Sequence, residues 1–276
     1  MAETERNEPG ILQDIPRLGL DDRLVFQCGP SMDCFNRCCR DVSILLTPYD
    51  VLRLKRALGI NSSEFLEKHT ITMESHDRQI PVVFLRMNSE SQSCPFVTAQ
   101  GCSVYGSRPW ACRMYPLGMA EPEAPDWAKR RFYFVVHEEV CHGHGAGNGC
   151  SVREFLDSQG VEPYDLMQTS FRRLMSNPGW SNPENLTEQK MSMYFMACYD
   201  LDRFRRFVFD TRFLEFFDVD EARVEAMRTD DEELLEFAYA WLAFTLFHEK
   251  SMKVKREVMQ ARVETAEAAN LAGPPE

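Results

Sequence analysis

Four cysteines fall within twelve residues near the start of the chain, in a segment that reads CGPSMDCFNRCC from Cys28 to Cys39. Packing of an apolar core does not need this local density of thiols, whereas coordination of a soft metal ion does. Four more cysteines follow, so that eight of the ten lie in the first 141 residues. These four are Cys94, Cys102, Cys112 and Cys141. We therefore predict that the first half of the chain folds around bound metal.

A disulfide framework is the alternative explanation of the cysteines. A chain of 276 residues can bury a sizeable core without disulfides. Its first ten residues are polar and acidic and lack the apolar stretch of a secretory signal, which favours the reducing cytoplasm. The adjacent Cys38 and Cys39 would also compete for the same space. Metal ligands or redox-active thiols are therefore favoured over disulfides.

Charge and hydropathy argue against two classes of partner. The formal net charge is -12, from 43 acidic and 31 basic residues, and such a surface repels the phosphates of nucleic acids. The most apolar stretch, residues 234–247, is interrupted by Glu236 and is shorter than the roughly 20 residues of a membrane span. We expect neither a nucleic-acid partner nor a membrane span.

Capping and hydrophobic patterns predict short strands and helices in the first half of the chain. Thr47 as N-cap, Pro48 at the first helical position and Gly59 as the terminating residue predict a helix between them. A second short helix is predicted from Ser62. Strands are predicted over residues 42–46, 80–87 and 131–137. Residues 94–116 are predicted to be mostly loop, because proline and glycine interrupt them.

The character of the sequence becomes helical from Ser151. Ser151 and Glu154 match a capping box, which opens a helix predicted to stop near Gly160. Further helices are predicted over residues 163–175 and repeatedly from Thr187. The last is predicted over residues 230–266, with four basic residues toward its end that suit the helix dipole. These are Lys250, Lys253, Lys255 and Arg256.

An aromatic series at helical spacing is predicted to pack against the cysteine-rich domain or against a partner helix. Its members are Phe204, Phe207, Phe209, Phe213, Phe216 and Phe217. A protein partner could therefore bind through the helical region.

The predicted fold class is α+β: a small, irregular, cysteine-rich domain nucleated by metal, with short strands, followed by a helical C-terminal region. We expect a flexible arm over residues 1–20 and the cysteine-cluster domain over residues 21–150. The helical region is expected over residues 151–262 and a flexible tail over residues 263–276.

The number and kind of metal centres stay open at this point. Eight thiolates fill two tetrahedral four-thiolate sites or two cubane iron–sulfur clusters, and one four-ligand site with spare cysteines is equally allowed. The adjacent Cys38 and Cys39 are expected to diverge, so they serve two centres or one of them is not a ligand. His142 and His144 can replace thiolates, or can simply face solvent. The balance leans slightly to an iron–sulfur cluster over zinc.

Three arginines lie beside cysteines in the sequence: Arg40, Arg108 and Arg113. A guanidinium near a thiolate cluster offsets its negative charge and donates hydrogen bonds to sulfur, although an ordinary surface salt bridge is the alternative. The two remaining cysteines are assigned otherwise. Cys198 is predicted to be a buried core residue, and Cys150 a partly buried bystander or a reactive thiol before a helix.

The order of these motifs resembles a known family. The sequence reads F-x-C, then C-x3-C-C-R, ILLTPYDVLRL, CPF, GCSVYGSRPWACRMYP and CHG. This order is similar to that of the bacterial CxxCxxCC, or YkgJ-type, cysteine-cluster proteins, which are described as zinc- or iron-chelating. The resemblance spans roughly residues 26–175. It implies as metal ligands Cys28, Cys34, Cys38, Cys39, Cys94, Cys102, Cys112 and Cys141.

The resemblance also has one departure and one further implication. Five residues separate Cys28 from Cys34 and three separate Cys34 from Cys38, where the family name has two. A flagellin lysine methylase is among the relatives of this family, so an enzyme of protein lysine methylation or of redox chemistry is the alternative function. The chain has no glycine-rich strand-to-helix turn of the dinucleotide-binding type.

Overall fold

The computed structural model describes residues 15–75, 79–121, 131–258 and 260. Up to residue 121 the regular elements are β1 (Arg23–Leu24), β2 (Leu45–Leu46), α1 (Pro48–Leu58), α2 (Ser62–His69), β3 (Thr70–Glu74), β4 (Pro81–Leu85), β5 (Val97–Thr98), β6 (Gly101–Cys102), α3 (Trp110–Met114) and β7 (Leu117–Ala120). From residue 131 they are β8 (Phe132–Val135), β9 (Cys150–Ser151), α4 (Val152–Gln159), α5 (Glu162–Met175), α6 (Glu188–Cys198), α7 (Leu201–Phe209), α8 (Phe213–Phe216), α9 (Glu221–Thr229) and α10 (Asp231–Phe247).

These elements confirm the α+β class, with short strands in the first half of the chain and helices in the second. The chain divides into two compact units. The cysteine unit comprises Met1–Val42, Asn88–Tyr105 and Trp110–Glu162, and the helical unit comprises Ser43–Met87, Gly106–Pro109 and Pro163–Glu276. The domain boundaries given from the sequence stay a prediction. Most of the predicted arm, residues 1–14, and the whole of the predicted tail lie outside the described residues.

The cysteine unit is built from small antiparallel pairs. Strand β1 pairs with β9, β5 with β6, and β7 with β8, and Leu18 adds a bridge to Tyr133. A compact apolar cluster forms between these strands and α4. Its buried members are Leu24, Met114, Leu117, Tyr133, Val152, Phe155, Leu156 and Val161. This cluster holds α3, and with it Cys112, against the strands.

The caps predicted for α1 and α4 are confirmed. The Thr47 side chain accepts from the Asp50 amide, the Asp50 carboxylate accepts from the Thr47 amide, and Gly59 is left-handed with φ 65°. Ser151 and Glu154 form the same reciprocal pair at the start of α4. Helix α4 ends at Gly160, where φ is 62°.

The helical unit contains a three-stranded antiparallel sheet in the order β2-β4-β3. The predicted strand over residues 42–46 is shorter than expected, because only Leu45 and Leu46 pair, with Phe84 and Val83. Strand β4 matches the centre of the predicted strand over residues 80–87. In the cysteine unit, β8 likewise occupies the centre of the predicted 131–137 strand.

The aromatic series packs inside the helical unit. Phe204, Phe207 and Phe213 surround Trp241 of α10 at ring distances of 5.4, 5.5 and 5.7 Å. Phe217 lies 5.6 Å from Phe244 of the same helix. These four rings of the series therefore pack on a helix of the same chain, α10, and a protein partner for the helical region stays a prediction.

The helix predicted over residues 230–266 ends early, and residues 259 and 261–266 of that span lie outside the described residues. Helix α10 ends at Phe247, and His248 takes a left-handed conformation with φ 57°. The His248 amide donates to the Phe244 carbonyl, which is the bond of an αL termination, and the Glu249 amide donates to the Ala243 carbonyl. The four basic residues therefore lie beyond the helix end, and the dipole argument for them was wrong. Among the described residues, no helix is both long enough and apolar enough to cross a bilayer.

Candidate metal centre

Cys38 and Cys39 lie in a tight 3₁₀ turn, Arg37–Cys39. Asn36 before it is left-handed with φ 69°, and the Cys39 amide donates to the Asn36 carbonyl at 3.1 Å. In a strand the two side chains would point to opposite faces, but in this turn their thiols are hydrogen-bonded to each other. The expectation that adjacent cysteines diverge is therefore corrected.

The pKa values of the Cys38 and Cys39 thiols are shifted in opposite directions. The hydrogen bond from the Cys39 thiol lowers the pKa of Cys38 to about 7, although burial opposes the shift. The same hydrogen bond and burial raise the pKa of Cys39, and the neighbouring Cys38, Cys94 and Cys112 raise it further. At neutral pH the Cys38 thiol is thus about half ionised, while the Cys39 thiol is protonated.

Cys94 is fixed beside Cys39 by the backbone. Its amide donates to the Cys39 carbonyl at 2.8 Å, and the preceding Ser93 bridges to Arg40. Burial raises the pKa of the Cys94 thiol, and the amides of Phe96 and Val97 donate to this sulfur and oppose the rise. Amide donors directed at a cysteine sulfur favour its thiolate form. The CPF segment is therefore shaped to hold a charged sulfur.

Cys102 and Cys112 complete the group. Cys102 lies in β6, paired with Val97, and the Cys94 and Cys102 thiols are close enough to raise the pKa of Cys94. Cys112 lies in α3 and acts in the same way on Cys39. We call Cys38, Cys39, Cys94, Cys102 and Cys112 the Cys39 group. A turn, a loop, a strand and a helix thus bring together five thiols that are up to 74 positions apart.

Cys34 has a different environment from the Cys39 group. The His142 amide donates to its sulfur at 3.3 Å, and Nδ1 of His142 lies 2.8 Å from Oδ1 of Asp33. The donor atoms of these three residues all lie within 4.8 Å of one another. Within the described ranges no three sulfurs of the Cys39 group are gathered so closely.

The two remaining predicted ligands are Cys141 and Cys28. Cys141 lies next to Tyr115, whose buried hydroxyl has no well-formed hydrogen bond. Burial, Cys141 and Glu138 together raise the pKa of this tyrosine. Cys28 is exposed.

His144 and the three arginines have different environments in the structure. His144 does not simply face solvent: its Nε2 is buried without a hydrogen-bond partner, and burial lowers its pKa. Arg113 is buried, and its guanidinium donates to the Gln159 carbonyl at 2.6 Å, which ties α3 to the end of α4. Arg108 is buried as well, whereas Arg40 is exposed. Roles for the three arginines near a metal stay a prediction.

Three further residues bear on the sequence predictions: Cys198, Cys150 and Asp33. Cys198 is a buried core residue, as predicted, and burial raises its pKa well above the usual range. Cys150 is half-buried in β9, paired with Leu24. Sequence reasoning missed Asp33. Its position directly before Cys34 was a usable signal, because a carboxylate beside a thiol adds a second type of metal donor.

A protein-family model matches this region of the chain. Residues 27–142 match the family model CxxCxxCC, which is described as a putative zinc- or iron-chelating domain. The match confirms the resemblance drawn from the cysteine order, over a shorter span than residues 26–175. It contains the Cys39 group, Asp33 and His142. No curated protein and no solved structure matches the chain.

Proposed function

We propose that this protein, whose residues 27–142 match a zinc- or iron-chelating domain, holds a metal centre through the Cys39 group. The observation that carries the proposal is the convergence on Cys39. Its thiol is hydrogen-bonded to Cys38 and interacts with Cys94 and Cys112, which come from three separate segments. Cys28, Cys34 and Cys141 remain predicted ligands on the family resemblance alone.

The donor set fits such a centre. Soft thiolates are the preferred ligands of zinc and of iron–sulfur clusters. Without metal, five neighbouring thiols would repel one another if all were ionised. The hydrogen bond to Cys38 and burial raise the pKa of Cys39, burial raises the pKa of Cys94, and the neighbouring thiols contribute less in the same direction. A bound cation removes the repulsion and replaces the protons. The amides of Phe96 and Val97 would then support the Cys94 thiolate in the bound state.

We propose an iron–sulfur cluster as slightly favoured over zinc. The Cys39 group supplies enough thiols for the four ligands of either a tetrahedral zinc site or a cubane cluster, and the glycine- and aromatic-rich loop over residues 94–116 suits the cluster. Among the described residues, which include all ten cysteines, no disulfide is formed; this suits a reducing compartment, and we propose the cytoplasm.

Metal and sulfide analysis of protein purified without oxygen tests this proposal. We expect stoichiometric metal in the wild-type chain and its loss in Cys39→Ser and Cys112→Ser. Cys150→Ala, which changes a half-buried cysteine outside the group, is the matched control and should retain the metal. A folded wild-type protein without metal would contradict the proposal. Stoichiometric zinc without acid-labile sulfide would retain the centre and discard the cluster.

The same samples separate a metal-holding protein from the enzyme alternative. An enzyme of lysine methylation or redox chemistry needs an open or exchangeable ligand position. A change in the absorption spectrum on addition of S-adenosylmethionine or a small thiol would favour the enzyme. An unchanged spectrum would favour a closed centre.

A further inference from the structure

We infer that Asp33, Cys34 and His142 form a second, mixed-donor site for a divalent first-row transition metal ion. A carboxylate oxygen, a thiolate sulfur and an imidazole nitrogen meet with all donor atoms within 4.8 Å of one another. None of the three belongs to the Cys39 group. The inference goes beyond the proposed function, because it adds a site that an all-thiolate centre does not use.

The backbone holds the three residues in place. The Gln27 amide donates to the Gly143 carbonyl at 3.1 Å, and the Gly145 amide donates to the Val25 carbonyl at 3.0 Å. A Cβ at Gly143 would lie only 2.3 Å from the Gln27 carbonyl oxygen, so this close pairing requires glycine. His142 immediately precedes the paired segment, and the turn after Gln27 leads back to Asp33 and Cys34. The donors are therefore positioned by main-chain contacts and not by a chance meeting of surface side chains.

The chemistry of the three donors suits a divalent ion. Imidazole, thiolate and carboxylate together are ligands of zinc and of its neighbours in the first transition row. An ionised Asp33 and a Cys34 thiolate carry two negative charges, which match the charge of the ion when His142 is neutral. The His142 amide at 3.3 Å from the Cys34 sulfur supplies the outer hydrogen bond that metal-bound thiolates commonly receive.

The exposure of the donors leaves one side of the site open. Cys34 is 8% exposed and forms the buried base. The side chains of Asp33 and His142 are 71% and 46% exposed and form the rim. Three protein donors with a solvent-facing fourth position are the arrangement in which a metal keeps a water or an exogenous ligand.

The test uses the anaerobically purified full chain with its resident metal, and Co²⁺ as the probe. Co²⁺ bound to a thiolate gives a sulfur-to-metal absorption band, and the imidazole NMR signals of a ligating histidine shift or broaden. Asp33→Asn and His142→Gln are the test variants because both side chains are exposed and their loss leaves the core intact. Glu139→Gln and His248→Asn, at exposed positions, are the matched controls.

We expect the wild-type chain and both controls to bind one Co²⁺ with a thiolate band and a shifted His142 signal. The test variants should bind Co²⁺ more than about 100-fold more weakly, because loss even of a residue that only supports a ligand costs 10–100-fold. Equal binding in variants and wild type, or an unmoved His142 signal, would overturn the inference. So would loss of the resident metal in Asp33→Asn and His142→Gln, since the three residues would then belong to one common centre.

The Cys39→Ser variant keeps the two claims separable. If it loses the resident metal and still binds Co²⁺ through His142, both claims stand. If the wild-type chain carries no resident metal but Co²⁺ binding depends on His142, the proposed function fails and the mixed-donor site stands.

Discussion

The two units of this chain bury their interiors in different ways. Of the twelve largest fully buried side chains among the described residues, Met114 is the one in the cysteine unit. The helical unit holds the other eleven, including Trp180, Phe65, Phe204 and Phe237. Yet nine of the ten cysteines belong to the cysteine unit.

This difference indicates two sources of stability. A unit with many fully buried aromatic and aliphatic side chains can fold on the free energy of apolar burial. The cysteine unit has strands of two to four residues and only one of these largest fully buried side chains, so we expect a further contribution, which metal bound by its thiols can supply. The following experiments test whether the two units respond separately.

Removal of the metal should have the largest effect, and only in the cysteine unit. Stripping with a chelator under reducing, oxygen-free conditions should cost on the order of 10 kcal/mol, the scale of structural zinc in small domains. Hydrogen exchange would show this as lost protection of the Cys94 amide, which donates to the Cys39 carbonyl. The Val208 amide in α7 of the helical unit is the internal control. Retained protection of the Cys94 amide in metal-free protein would contradict the claim that bound metal stabilises the cysteine unit.

Truncation of the aromatic core should have the converse effect. Phe204 is fully buried and lies 5.4 Å from Trp241, so Phe204→Ala should destabilise the helical unit by about 3–5 kcal/mol. Metal content should be unchanged. Phe216→Ala removes a ring that is 40% exposed and should cost within about 0.5 kcal/mol. Release of metal by Phe204→Ala would show that the units are not independent.

A buried ion-pair network gives an intermediate effect in the helical unit. Lys55 is 5% exposed, and its ammonium lies 2.9 Å from Asp202 and 3.1 Å from Asp231. Lys55→Met should cost about 1.5–3 kcal/mol, the range for hydrogen bonds to charged groups. Other basic side chains still contact Asp231, so the loss should not reach that of an unpaired buried charge.

The exposed pair on α2 provides the control for this network. The Lys68 side chain is 59% exposed and pairs with Glu64 one turn earlier. Lys68→Met should change the unfolding free energy by only about 0.3–0.5 kcal/mol. A loss for Lys55→Met no larger than this would mean that the buried network contributes nothing beyond a surface pair. Thermal unfolding of the metal-loaded chain measures both variants.

Local patterns in the sequence predicted much of the fold. The caps at Thr47, Gly59, Ser151 and Gly160 are set by neighbours within four residues, and they form as expected. The end of α10 could not be predicted in this way. Residues 248–255 form a turn that returns Val254 to pair with Phe217, and no local signal marks His248 as left-handed. The pairing of Val254 with Phe217, which is 37 positions earlier, therefore forms in place of further turns of α10.

The candidate site shows the same division between local and distant information. Cysteine type and order pointed to the metal-binding region, because that chemistry depends on residue identity. The grouping did not follow from the order. Cys38 and Cys39 converge through the 3₁₀ turn, and the Cys34 sulfur accepts a hydrogen bond from the amide of His142, 108 positions away. The position of Asp33 before Cys34 was a local signal, but the donor set is completed only by His142, which is distant in the sequence.

The smallest expected effect is a dependence of the helical unit on acid. Burial raises the pKa of Asp202 and Asp231, but hydrogen bonds from Lys55 to Asp202 and from Arg205 to Asp231 outweigh it, so both pKa values lie below the ordinary 3.8. A carboxyl group with a lowered folded pKa stabilises the fold fully above its unfolded pKa and loses this contribution as the pH falls through the folded value.

The unfolding free energy of the helical unit should thus be level above about pH 5 and decline below the ordinary value of 3.8. Hydrogen exchange at the Val208 amide measures this, and Asp202→Asn with Asp231→Asn should flatten the decline; an equal decline in that double variant would assign the acid sensitivity to other groups.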